Sequence, residues 1–240
     1  MRGGSSSLDD LYRGILERLF DSGDETLMKR FCSVMAQVLC ASSPLSMDSL
    51  KEMRRLATDV QEDEVSLIVI DMGSLLLGVY DRTSPIRPHH TSFRDFLTDK
   101  ARGQSWFVDV TAGHPVMALG CVRVLNESLK FNICRLDTSY AHNSSIPSLD
   151  NRLTEFVTAG LSYAACNWKD HLPDARPPSD LQQELTMFLD KKLLFWFELL
   201  SLLKSVNRAA PTLEAVVRLY DVSLVISPHA FIFQPNSQLL

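Results

Sequence analysis

Helical periodicity constrains this chain more than any other feature of its sequence. Apolar residues recur at three- and four-residue spacings along residues 8–20, which predicts a first amphipathic helix. The same pattern predicts a second helix over residues 25–41, which Pro44 ends, and capping oxygens at residues 46–49 predict a third short helix through Leu56. The first part of the chain is therefore expected to be helical.

One stretch departs from the helical pattern. Residues 75–80 are bulky and apolar, which favours a strand, and turn-forming residues follow at 81–85. Residues 86–90 can return as the partner strand, and Pro88 would confine them to a sheet edge. Another helix is expected from about Ser92. The predicted order is therefore three or four helices, then a β-hairpin, then one more helix. This order is typical of a winged-helix domain, although any small helical domain with one hairpin has the same signature.

Helical periodicity returns in the second half of the chain, where four long segments carry it, at residues 112–129, 149–171, 181–205 and 211–221. Residues 137–147 and 173–179 are rich in Asn, Ser and Pro, as loops are, and residues 222–233 are apolar enough to pack as an extended tail. Because the helices do not repeat at a fixed period, a regular solenoid is not predicted.

The predicted fold class is therefore mainly α: a winged-helix domain with a small β-hairpin, followed by an all-α helical arm. We expect three segments, namely a disordered N-terminus at residues 1–7, a winged-helix-like domain at 8–103 and a helical arm domain at 104–240.

Charge and cysteine usage narrow the possible partners. The net charge is −5 and no run of Lys or Arg exceeds two residues, so nucleic acid is not an expected partner. The five cysteines are odd in number and widely spaced, which suits buried thiols in a reducing compartment. Neither a CxxC pair nor a Cys/His cluster at zinc spacing is present, so no metal site is predicted.

No segment of the sequence predicts export or membrane insertion. Residues 1–7 lack the apolar stretch of a signal peptide. The most apolar segment, residues 193–203, is eleven residues long and carries Glu198, whereas a membrane-spanning helix needs ~20 residues. We therefore expect a cytoplasmic protein with no membrane partner, and a buried helix at residues 193–203.

The sequence lacks the motifs of nucleotide hydrolysis and of nucleophilic catalysis. A phosphate-binding loop of the form GxxxxGK[ST] is missing, and in the nearest stretch, Gly73 to Gly78, Val79 and Tyr80 occupy the places of the required Lys and hydroxyl. No GxSxG motif surrounds a serine. The sequence therefore predicts no catalytic residues, no cofactor and no enzymatic activity.

His90 is the candidate site residue. It ends the predicted edge strand and meets the first turn of the apolar helix that starts near Ser92, so its ring would point toward a neighbouring face. The alternative is that His89 and His90 are a satisfied pair of surface or core histidines.

The residues around His90 resemble a known family. His90 followed by residues 92–97, SFRDFL, is similar to the HPSFRDFL segment of fungal NACHT proteins, with Thr91 replacing the usual Pro. Further blocks agree in order, at residues 8–12, 45–46 with Leu50, 73–76, 132–136, 161–168 with 171–172, 188–194 and 197–201. In that family these segments form the winged helix and helical arm, after the NACHT ATPase core and before WD or other repeats.

The resemblance implies a role for His90. In the wider class of signal-transducing NTPases, the STAND class, the winged-helix His of the MHD motif contacts the β-phosphate of bound ADP and holds the closed state. His90 is the matching residue, but His89 and Thr91 stand in place of the motif's Met and Asp. The implied function is a non-catalytic regulatory and protein-interaction segment whose partners are proteins, and in which His90 senses ADP phosphate only beside a NACHT core.

The sequence leaves a second function open, a winged-helix regulator that binds nucleic acid through its third helix. That helix carries Lys51, Arg54 and Arg55, but Glu52 dilutes the charge and an acidic run at residues 61–64 lies beside it. An enzyme of unrecognised type is a third possibility, for which no constellation of residues is visible.

Overall fold

The fold is mainly helical in the part of the chain that the computed structural model describes, residues 7–220 without 59, 61, 62, 139 and 175. The first half contains six α-helices and two strands, which are α1 (Ser7–Leu19), α2 (Glu25–Cys40), α3 (Met47–Ala57), α4 (Glu64–Val69), β1 (Leu76–Leu77), β2 (Arg87–Pro88), α5 (Thr91–Thr98) and α6 (Lys100–Gly103). The predicted tail at residues 222–233 and the N-terminus up to residue 6 lie outside the described residues.

Six further α-helices follow within the described residues. They are α7 (His114–Ser128), α8 (Leu149–Phe156), α9 (Ala159–Asn167), α10 (Ser179–Lys191), α11 (Leu193–Leu202) and α12 (Ala209–Leu219). Short 3₁₀ turns join several helices, at Ile70–Met72, Gln104–Trp106, Val110–Gly113, Asn143–Ser145, Trp168–His171 and Val206–Arg208.

Local signals place the early helices where the sequence predicts them. Asp24 caps α2 by accepting from the backbone N–H groups of Thr26 and Leu27, at 2.9 and 3.0 Å. Ser46 caps α3 by accepting from the N–H of Ser49 at 3.3 Å. The bounds of the first three helices therefore agree with the sequence prediction to within a few residues.

Two of the predicted long helices are divided, which corrects the sequence interpretation. The segment 149–171 breaks after α8 because Val157 is extended and the Thr158 hydroxyl caps a new helix, accepting from Leu161 N–H at 3.1 Å. The segment 181–205 breaks at Lys192, which separates α10 from α11. Periodicity alone missed both breaks because the apolar pattern continues across them.

The β-hairpin exists and is shorter than predicted. β1 and β2 pair antiparallel, with Leu76 opposite Pro88 and Leu77 opposite Arg87. The segment before α3 lies beside the residues that lead into β2, since Ile86 N–H donates to the carbonyl of Leu45 at 2.8 Å. The 45–46 segment forms one further contact there, a single isolated bridge from Ser46 to Pro85.

Helix α7 lies at the centre of the packing and contacts α2, α3, α9 and α10. A Cβ at Gly120 would lie 2.6 Å from the carbonyl oxygen of Met53, so only glycine allows α3 to approach this closely. The predicted division near residue 103 stays a prediction, and buried apolar residues from both sides of it form one continuous cluster.

Aromatic side chains fill two parts of this cluster. Trp106 packs against Phe20 and Phe31, with ring centroids 6.3 and 5.3 Å apart. Trp168 packs against Phe188 and Trp196, at 5.2 and 6.0 Å. Both groups join elements that are distant in sequence.

Among the described residues, no single helix is long and apolar enough to cross a bilayer. The helical segments Lys100–Trp106 and Val110–Ser128 are together long and apolar enough, but a bend of 53° separates them. The apolar helix α11 has ten residues.

Candidate functional site

His90 caps helix α5, at the place where strand β2 has just ended. Its Nδ1 accepts from the backbone N–H of Ser92 at 3.1 Å and lies 2.7 Å from the Ser92 hydroxyl. Because Nδ1 acts as an acceptor, the neutral ring carries its N–H at Nε2. The side chain is exposed, so this donor is open to a partner. We call this arrangement the His90 cap.

Helix α1 packs against the start of α5 and so stabilises the His90 cap. The Tyr12 hydroxyl lies 2.6 Å from the Ser92 hydroxyl, which itself contacts His90. The Tyr12 ring packs on Phe93 and Phe96 of α5, with centroids 5.2 and 5.7 Å apart. The chain of contacts from Tyr12 through Ser92 therefore holds the His90 ring in one orientation.

The motif that carries the family resemblance divides into core and surface. Phe93, Phe96 and Leu97 are buried, whereas Arg94 and Asp95 are exposed. The apolar half of the SFRDFL segment thus attaches α5 to the core, and its polar half stays available at the surface beside His90.

The basic residues of α3 are engaged by carboxylates. Lys51 pairs with Asp63 at 2.5 Å, and Arg54 Nε donates to Glu64 at 2.9 Å. Arg55 lies 4.0 Å from Glu127 of α7. These ion pairs compete with any phosphate for the cations that a nucleic-acid-binding helix would need.

The stretch that approximates a phosphate loop belongs to the hairpin. Leu75 and Leu76 are buried, and Leu76 pairs with Pro88 across the sheet. The carbonyl of Leu75 accepts from the backbone N–H of His89 at 2.9 Å. Residues 73–78 therefore position the strand that leads to the His90 cap.

A second group of metal-ligating residue types lies where three segments meet. Cys40 ends α2, His114 begins α7 and His171 ends the turn Trp168–His171. Their ligand atoms all lie within 4.8 Å of one another, and the two Nδ1 atoms of the histidines are 3.1 Å apart. We call these three residues the junction cluster.

A close approach of the backbone forms this junction. A Cβ at Gly113 would lie 2.4 Å from the carbonyl oxygen of Ala36 and 2.8 Å from Cys40 Sγ. Glycine at this position therefore lets the turn before α7 lie directly against the end of α2.

Hydrogen bonds fix the orientation of His171. Its Nε2 lies 2.7 Å from the hydroxyl of Tyr163, which also accepts from the backbone N–H of Ser42 at 3.0 Å. The Ser42 hydroxyl donates to Asp170 at 2.9 Å. The His171 ring consequently presents Nδ1, and only Nδ1, to His114 and Cys40.

Burial controls the protonation of the junction cluster. Burial, and to a smaller extent the neighbouring His114, together lower the pKa of His171 to about 4. Burial also raises the pKa of the Cys40 thiol to about 12 and raises the pKa of Tyr163. At neutral pH His171 is therefore a neutral imidazole, and Cys40 is a thiol.

The sequence does not reveal the junction cluster. His114 and His171 are 57 residues apart, and Cys40 belongs to a different helix. The packing of α2 against the turn Val110–Gly113 and of α7 against the turn Trp168–His171 brings them together. Local ligand spacing, which finds zinc fingers, has no signal for a site of this kind.

Comparison with known proteins finds one related fungal protein. The chain is 28% identical over 222 residues to the vegetative incompatibility protein HET-E-1 of Podospora anserina, a match that covers 82% of this chain and 16% of that protein. The chain thus spans about a sixth of its relative's length. No family model and no solved structure matches. The similarity supports a relationship to the fungal NACHT proteins that the sequence blocks resemble.

The resemblance blocks contact one another in the structure. Tyr12, from the first block, packs on the SFRDFL block. Trp168 of the 161–168 block packs on Phe188 of the 188–194 block, with ring centroids 5.2 Å apart. Asn132 N–H donates to Glu198 at 3.2 Å. Several of the blocks therefore pack against one another in this fold.

Proposed function

We propose that this chain is the winged-helix and helical-arm region of a NACHT-type NTPase, a non-catalytic regulatory segment that acts on a nucleotide held by a neighbouring core. The observation that carries the proposal is the His90 cap, an exposed imidazole donor on a rigid support within a segment related to HET-E-1. Its working partners are accordingly protein domains, first of all the NACHT core.

The strand arrangement supports the winged-helix part of this proposal. Helices α2, α3 and α4 precede a hairpin, and Leu45, between α2 and α3, accepts a backbone hydrogen bond from Ile86, which leads into the second hairpin strand. A winged helix has this order, with a short strand between its first two helices that joins the wing. Helix α5 follows the wing and carries the His90 cap at its start.

The proposed action of His90 is a contact with a nucleotide phosphate. An imidazole N–H that donates to an anionic oxygen forms a charge-assisted hydrogen bond worth roughly 1.5–3 kcal/mol. If the contact exists in the ADP-bound geometry and not in the ATP-bound one, it shifts the populations of the two states by that energy. A domain without catalytic residues can in this way control the balance between the ADP-bound and ATP-bound states of the core.

The proposed compartment is the cytoplasm. All five cysteines are free thiols, three of them buried and two half-buried, a state that a reducing compartment preserves.

Nucleotide binding by the purified chain tests the proposal at its simplest level. We expect isothermal calorimetry to detect no micromolar affinity for ADP or Mg-ATP, and a phosphate-release assay to detect no turnover. Binding or turnover by the chain alone would contradict the proposal, since the phosphate-cradling loop would then have to lie in this segment.

A second experiment tests whether a NACHT core precedes this segment and binds it. The genomic sequence upstream should encode an in-frame GxxxxGK[ST] loop, and the core expressed from it should be retained on the immobilised chain in the presence of ADP. A matched bait of duplex DNA at low salt should retain none of the chain, whereas salt-sensitive retention would favour a nucleic-acid-binding winged helix instead.

A further inference from the structure

The junction cluster has the donor set of a zinc site. Cys40 supplies a sulfur and each histidine supplies one ring nitrogen, all within 4.8 Å of one another, and the two Nδ1 atoms face each other. A thiolate with two imidazoles is a combination that binds borderline-soft divalent cations, above all Zn²⁺. Carboxylates are not among the three ligands, so a hard cation such as Mg²⁺ does not fit.

We propose that Cys40 Sγ, His114 Nδ1 and His171 Nδ1 bind one Zn²⁺ ion, with a water molecule in the fourth position. This site is independent of the role proposed for His90 and of the NACHT core.

The spacing of the donors suits a tetrahedral ion. Zinc–nitrogen bonds of about 2.0–2.1 Å and a zinc–sulfur bond of about 2.3 Å place neighbouring ligand atoms roughly 3.3–3.6 Å apart. The two Nδ1 atoms, at 3.1 Å, are already close to that separation. Since no pair exceeds 4.8 Å, the Cys40 sulfur has to approach the two nitrogens by no more than roughly 1–1.5 Å to complete the site.

Tyr163 provides the outer support that a metal-binding histidine needs. A ligating His donates its other ring N–H to a neighbouring oxygen, which fixes its tautomer and its angle. His171 Nε2 faces the Tyr163 hydroxyl at 2.7 Å, and the Ser42 N–H holds that hydroxyl in place. His171 is only 1% exposed, so this ring cannot turn away from the site.

Access comes from the side of His114. This residue is half-buried at the first position of α7, whereas Cys40 and His171 are buried. Solvent therefore reaches the cluster past His114, which is where the zinc-bound water would lie. Zinc would join α2, α7 and the turn Trp168–His171, and so would hold the two predicted domains together.

Binding of zinc changes the protonation of the cluster in a defined way. Without metal, the Cys40 thiol donates to the carbonyl of Gln37 at 3.5 Å, and one of the two facing Nδ1 atoms carries a proton. The ion replaces the thiol proton, which goes to solvent, and the proton at Nδ1 moves to Nε2 by tautomer exchange. One proton is released for each Zn²⁺ bound, and nothing is oxidised or reduced.

Cobalt substitution of the purified full chain tests the site. We expect one Co²⁺ per chain, with the visible bands of tetrahedral Co²⁺ and a sulfur-to-cobalt charge-transfer band, both lost when Zn²⁺ is added. Calorimetry in two buffers should give release of about one proton for each ion. A hundredfold excess of Zn²⁺ over its Kd should raise the Tm by about 5–10 °C.

Matched variants separate a built site from nonspecific binding. Cys40→Ser and His114→Ala should weaken Zn²⁺ binding by more than about 100-fold, and Tyr163→Phe, which removes an outer partner, by about 10-fold. Cys32→Ser and His142→Ala change the same residue types outside the cluster and should bind as the wild type does. Far-UV dichroism of the metal-free variants checks that each one is folded, and His114→Ala changes a half-exposed residue at a helix start.

Two results would overturn the proposal. One is a wild-type chain that gives no tetrahedral cobalt spectrum and no rise in Tm with zinc, which would leave the cluster as a hydrogen-bonded network. The other is unchanged zinc affinity in folded His114→Ala, which would place the bound ion elsewhere in the chain.

Discussion

The His90 cap and the junction cluster use histidine in opposite ways. In both, one ring nitrogen is held by a short hydrogen bond within a chain of polar contacts that includes a tyrosine, Tyr12 in one case and Tyr163 in the other. His90 leaves its remaining nitrogen at the surface, whereas His171 is enclosed with Cys40 and His114. An exposed donor needs a partner from another domain, and an enclosed cluster can bind an ion with its own residues.

The largest expected effect concerns the backbone contact that forms the junction. Gly113→Ala forces a Cβ against the carbonyl of Ala36 and against Cys40 Sγ, which should lower the free energy of unfolding by about 3 kcal/mol. Urea unfolding measures this loss. Gly14→Ala is the control, because nothing lies within 4 Å of a Cβ there, and it should stabilise α1 by about 0.5–1 kcal/mol. Equal effects of the two changes would mean that α2 and the turn separate freely.

The next largest loss of stability is expected at Tyr163, the more buried of the two tyrosines that contact the histidines. Tyr163→Phe leaves the Ser42 N–H and His171 Nε2 without their shared partner, and this should cost about 2 kcal/mol. Thermal unfolding of the metal-free chain measures it. Tyr140, which is 96% exposed, provides the control, since Tyr140→Phe should change little. A Tyr163→Phe chain as stable as that control would show that water replaces the hydroxyl.

Tyr12→Phe should have a smaller effect. The ring keeps its contacts with Phe93 and Phe96, and only the hydrogen bond to Ser92 is lost. A loss of about 1 kcal/mol is expected in urea unfolding, because this hydroxyl is partly buried. A loss of stability larger than that of Tyr163→Phe would contradict this expectation. It would mean that the hydroxyl at the exposed His90 cap contributes more than the one at the enclosed junction cluster.

The smallest effect on stability is expected at His90 itself. His90→Ala removes the cap of α5 and should cost about 0.5–1 kcal/mol, and His90→Asn should restore most of it because Asn is a good N-cap. Thermal unfolding of both variants measures the difference. Equal losses in both would mean that the imidazole contributes packing and not capping.

Much of the fold was readable from the sequence because its signals are local. Apolar periodicity predicts α2, the capping oxygens at residues 46–49 predict α3, and the apolar run at residues 75–80 predicts a strand beside a turn. The break at Thr158 was missed because a single capping hydroxyl inside a continuous apolar pattern has little weight against the periodicity around it.

The two sites also differ in how local their sequence signals are. His90 was found because its motif is contiguous, with the cap and the helix that it starts in one short segment. The junction cluster depends on Gly113, which permits two backbones to touch, and on packing across the middle of the chain. Such contacts are set by tertiary structure, for which a single sequence has no periodic or spacing signal.

The most direct test of the account is the ADP affinity of this segment joined to its NACHT core, measured for the wild type and for His90→Asn with His89→Ala as control. His90→Asn keeps the helix cap and removes the imidazole donor. We predict that it weakens ADP binding by about 10–100-fold, with ATP affinity and the His89→Ala variant unchanged. Equal ADP affinity in all three proteins would contradict the regulatory role proposed for this chain.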